Sequence, residues 1–136
     1  MTVDYTHHSQ LAHIRVGDCM HQGIFACGPD ASAREVAAVM AKHHVHAVAV
    51  KNDGSDRPVG IISALDVLAA AASGEEPTAA RIAGTEFVTV SANQTVQHAA
   101  QLMTEHGVSH LIVLEAASGL PIGVVSTLDI ASLYSS

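Results

Sequence analysis

A shift of 63 positions lays residues 17–73 over residues 80–136 without a gap, and this internal repeat limits the possible folds more than any other feature of the chain. The register places Ala37 on Ala100, Met40 on Met103, His43 on His106, Val45 on Val108, Val50 on Val113 and Ser55 on Ser118. It then places Pro58 on Pro121, Gly60 on Gly123, Ser63 on Ser126, Leu65 on Leu128 and Asp66 on Asp129. The agreement is densest where "GIISALDV" (60–67) meets "GVVSTLDI" (123–130). A chain that spells one unit twice is expected to fold as two like modules.

Each copy reads as β-α-β-β-α. "GIFAC" (23–27) and "EFVTV" (86–90) are short strand-like runs of β-branched and aromatic residues. A helix follows in each copy. Ser32 and Glu35 have the spacing of a capping box, and Val36, Ala37 and Met40 recur at helical spacing. The second copy starts its helix near Thr95 and repeats the pattern with Val96, Ala99, Ala100 and Met103. Strands are expected at "VHAVAV" and "VSHLIVL", then, after turns rich in Gly, Asn, Asp and Ser, at "PVGIIS" and "PIGVVS". The last helices should begin at Ala64 and Thr127. The fold class is therefore mixed α/β (α+β). Its parts are an N-terminal tail (1–15), repeat 1 (16–73), a linker (74–79) containing Gly74 and Pro77, and repeat 2 (80–136). Three short strands and two helices leave apolar faces that one copy cannot cover, so the repeats should pack against each other about a pseudo-two-fold axis.

Composition excludes several functional classes. The formal charge is −7 with only six Lys and Arg, which are dispersed, so nucleic-acid binding is not expected. No apolar run approaches the ~20 residues of a membrane span, and no basic region precedes an apolar stretch at the N-terminus. Cys19 and Cys27 form no CxxC pair and read as reduced thiols, which fits a cytoplasmic location. The polar opening "MTVDYTHHSQ" is expected to fray.

Ser63 with Asp66, and Ser126 with Asp129, stand where strand period gives way to helix period. A carboxylate there lies among first-turn N–H groups that favour negative charge. Helix capping accounts well for the serines. The aspartates, already inside the helix and duplicated, suggest a ligand as well.

At these residues the chain resembles the CBS domain family, two copies of which form a Bateman module. The resemblance rests on the Gly-led strand ending in Ser-x-Leu-Asp, covers residues 16–136, and implies clefts between the repeats that bind adenosine-containing ligands. In such clefts the aspartate accepts the ribose hydroxyls and the serine contacts ribose or phosphate. Backbone around the first two strands contacts adenine, here Ile24 to Ala26, Val45, His46 and Ala47, with Val88, Val108, Ser109, His110 and Leu111 in the second copy. Each cleft draws on both copies, so Asp129 is expected to work with Val45–Ala47 and Asp66 with Val108–Leu111, the histidine-rich edge favouring Asp129. No Lys or Arg follows either aspartate, which favours AMP, ADP or S-adenosylmethionine over ATP.

The ten histidines offer no convergent set with ligand spacing, so no metal site is expected, and no cofactor is required. No H-E-x-x-H, G-x-S-x-G or Walker motif is present, and an enzyme is not expected. The output then passes to an effector protein of unknown identity, or through a homodimer whose final helices present Leu68, Ala69, Ala72, Ala131 and Leu133. The alternative is a structural protein–protein interaction module with empty clefts.

Overall fold

A computed structural model describes residues 10–84 and 87–135. The strands are β1 (His21–Gln22), β2 (Ala26–Cys27), β3 (Ala47–Val50), β4 (Gly60–Ser63), β5 (Thr89–Ser91), β6 (His110–Leu114) and β7 (Pro121–Ser126). The helices are α1 (Ala33–His43), α2 (Ala64–Ser73), α3 (Ala79–Ile82), α4 (Val96–His106) and α5 (Thr127–Tyr134), and a 3₁₀ turn spans Val16–Asp18. The mixed α/β class and the doubled β-α-β-β-α order are those expected. The frayed opening expected over residues 1–10 lies, apart from Gln10, outside the described residues.

The chain forms two compact units, Ile24–Phe87, and the residues up to Gly23 together with those from Val88 onward. In Ile24–Phe87 the sheet order is β2-β3-β4, parallel then antiparallel. All four residues of β3 are buried, as a strand covered on both faces requires. Val36 and Met40 of α1 pack there with Val48, Val50, Ile62 and Ala79. The Ser32 hydroxyl caps α1 by accepting the Glu35 N–H at 3.1 Å. Only this half of the expected capping box forms, because the Glu35 side chain stays exposed and makes no return bond. The helix ends on His44 in the left-handed region (φ 55°), where the matching residue after α4 is Gly107 (φ 64°).

The other unit repeats this plan around Val96, Ala99, Met103, Leu111, Val113 and Val125. Leu11 and Val16 join that core, and Arg15 pairs with Thr95, so residues 11–16 are packed here. Its sheet has a fourth strand: the order is β1-β7-β6-β5, with His21 opposite Val124. In Ile24–Phe87 the corresponding place is taken by Gly84, bridged to Ile61. Both contacts obey the 63-residue register. The segment leading into the first strand of each repeat therefore flanks the last strand of the other. Nothing in the sequence announces this flank, since a two-residue strand carries no periodicity. It also explains the repeated glycine of the signature. A Cβ on Gly60 would meet Ala83 Cβ and Gly84 O at 3.0 Å, and one on Gly123 would collide with the His21 carbonyl oxygen.

Candidate functional site

The antiparallel pairing of β3 with β4 brings Ala47 opposite Ser63, and that of β6 with β7 brings His110 opposite Ser126. The helix then starts immediately. Ala64 donates its N–H to the His46 carbonyl at 2.9 Å, and Thr127 donates to the Ser109 carbonyl at 2.9 Å. Each Ser–Asp pair is thus fixed beside the entry of the neighbouring strand of its own repeat.

Both pairs form complete capping boxes with the same geometry. Asp66 Oδ2 accepts the Ser63 N–H at 2.8 Å and the Ser63 hydroxyl at 3.0 Å, while Ser63 Oγ accepts the Asp66 N–H at 3.2 Å. Asp129 and Ser126 repeat these bonds at 2.8, 3.0 and 3.2 Å. The cap engages one carboxylate oxygen only, so Oδ1 projects with acceptor capacity left. At Asp129 that oxygen lies 3.0 Å from Nε2 of His21, whose side chain is 73% exposed while the aspartate's is 16% exposed. Asp66 Oδ1 has no such partner among the described residues.

The other expected site residues divide by what they can offer. Leu111 and Ala47 are buried, Leu111 within the core, so only their backbone would be open to a ligand. Ile24 is half-buried just before β2, and Ala26 is exposed within it. Val45 and Val108 are half-buried, and each donates its N–H back to the preceding helix, at the Met40 and Met103 carbonyls. The Val88 carbonyl accepts the Ile112 N–H at 3.1 Å. His46 is exposed, and Ser109 Oγ lies 2.9 Å from Nδ1 of half-buried His110.

Neither thiol is activated. Burial, then the negative charges of Asp129 and Asp18, push Cys19 up to about 11, and burial followed by Glu35 raises Cys27. Among the described residues no group of three or more His, Cys, Asp or Glu could hold a metal ion, and no helix is long and apolar enough to cross a membrane. Sequence reasoning missed His21 at the site, because only the pairing of β1 with β7 brings it to Asp129.

The sequence profile of the CBS domain matches residues 16–73 and again 79–136. The chain belongs to the CBS domain family. An uncharacterized protein of Methanopyrus kandleri is 29% identical over an alignment 124 residues long that covers 88% of this CBS pair and 62% of that protein. This chain thus spans about three-fifths of that relative's length. The CBS domain pair of protein MJ0100, in complex with 5′-methylthioadenosine and S-adenosyl-L-methionine, superposes with a TM-score of 0.80 at 23% identity. That match covers 89% of this chain and 95% of the other. A CBS domain protein of Pyrobaculum aerophilum complexed with AMP has a TM-score of 0.77 at 27% identity, covering 90% of this chain and all of that one.

Proposed function

We propose that this CBS pair is a non-catalytic regulatory module of the cytoplasm that binds an adenosine-containing small molecule and reports it to an effector protein. The observation that carries the reading is the free acceptor capacity of a half-buried, pre-oriented carboxylate at the Ser63–Asp66 junction. A carboxylate locked by its own cap presents its remaining oxygen at a fixed place, so ribose hydroxyls meet it without further ordering. Charge-assisted bonds of this kind contribute about 1.5–3 kcal/mol each. The AMP complex of the Pyrobaculum relative supports the ligand class. The residues after each aspartate are Val67, Leu68 and Ala69, and Ile130, Ala131 and Ser132, so no cation follows to hold a polyphosphate. AMP, ADP or S-adenosylmethionine therefore suits the site better than ATP. Calorimetry with all four compounds tests the reading, and a failure of every one to bind below ~1 mM, about −4 kcal/mol, abolishes it.

A second reading is favoured by the same caps. Because both Ser–Asp pairs close complete capping boxes, the signature has an intramolecular purpose, and a structural interaction module with unfilled clefts would retain it. Self-association belongs to either reading. Leu65 and Leu68 on α2 are 74% and 64% exposed, and Leu128 on α5 is 64% exposed, so each of these helices offers apolar side chains to a homodimer.

A further inference from the structure

We propose that the two aspartates are unequal: Asp66 is the carboxylate open to a ribose, and His21 holds Asp129 closed. This rests on the adenosine-ligand reading and specifies which of its two carboxylates is used. It reverses the preference for Asp129 expected from the histidine-rich edge.

A carboxylate has about four lone-pair positions, and a ribose presenting two hydroxyls needs two of them. The cap fills two on Oδ2 in both copies. Among the described residues nothing occupies either position on Asp66 Oδ1. At Asp129 the Nε2 of His21 stands 3.0 Å from Oδ1 and takes up the place beside that oxygen. A ligand reaching Asp129 must first displace the histidine.

The difference follows from the repeat itself. His21 faces Val124 across the edge of β7, and the residue in the same register beside β4 is Gly84, facing Ile61. Glycine has no side chain to send toward Asp66. The duplicated scaffold thus carries a histidine latch in one copy and an open place in the other.

The latch can be removed and transplanted. His21 is exposed, so His21→Ala leaves the core untouched. A Cβ at Gly84 would meet Ile61 O at 3.8 Å, an ordinary van der Waals contact, so the side chain of Gly84→His can start there without a clash. Wild type and both variants, with folding checked by thermal melts, are titrated calorimetrically with AMP and separately with S-adenosylmethionine. The wild type should take up about one molecule per chain. His21→Ala should gain a second site, tightened about tenfold or more, and Gly84→His should weaken the first by a similar factor. Asp66→Asn should abolish the wild-type site and Asp129→Asn should spare it. Two equal wild-type sites unaffected by His21→Ala, or a single site lost in Asp129→Asn, overturn the latch while leaving the adenosine reading intact. No binding of either compound to any variant removes both.

Discussion

Gly123 lies so close to β1 that a methyl group on its α-carbon would overlap the carbonyl oxygen of His21. The obstacle is backbone and cannot rotate away. Gly123→Ala should therefore push β1 off β7 and lower unfolding free energy by about 1–3 kcal/mol in urea denaturation. Gly60→Ala meets Ala83 and Gly84 at 3.0 Å and should cost less.

The capping boxes set a stability effect distinct from any ligand effect. Ser63→Ala and Ser126→Ala each remove the acceptor for a first-turn N–H and should destabilise by about 1 kcal/mol. Asp66→Ala should do the same by freeing the Ser63 N–H and hydroxyl. Chemical denaturation without ligand measures this, and melting temperatures equal to wild type would mean that the boxes contribute nothing.

His44 ends α1 with φ 55°, a conformation that costs a side-chain-bearing residue about 1–2 kcal/mol, whereas Gly107 holds the matching place after α4. His44→Gly should raise stability by up to about 1 kcal/mol after the greater chain entropy of glycine is counted. The reciprocal Gly107→His should lower it.

Cys19 provides a pH signature. Its thiol is held at about 11 against an ordinary 9.0, so the native state keeps a proton that the unfolded chain releases. Stability should fall as pH rises through that interval, and iodoacetamide labelling of native protein should lag behind that of a free thiol near pH 9. Asp129→Asn removes one of the charges responsible and should move the labelling midpoint downward.

Association should follow the exposed leucines. Light scattering at micromolar concentration is expected to give about twice the 14.0 kDa chain mass, and Leu68→Glu should return it to the monomer value. A wild-type monomer would remove the homodimer.

The starts of α2 and α5, at Ala64 and Thr127, were legible because their caps and apolar spacing lie within one turn. The position of β3 was legible too, since its valines alternate with alanines in a continuous apolar run. What escaped the sequence was set by partners distant in the chain. Nothing local in "MHQG" indicates a strand, and β1 exists because β7 offers it an edge. The short α3 begins on Ala79, the last residue that reads as linker, and Ala79 is fully buried. His21 escaped for the same reason as β1: the residue that touches Asp129 lies 108 positions earlier.

The exchange of flanks makes each repeat an incomplete fragment. Cleavage between residues 74 and 78 would produce two pieces, each carrying the sheet edge that the other lacks: His21 and Gln22 belong beside β7, and Gly84 beside β4. Separately expressed halves should then behave like the parts of a split reporter, poorly folded alone and restored on mixing. A single repeat expressed alone would have to take that edge from a second molecule, and should therefore associate with itself.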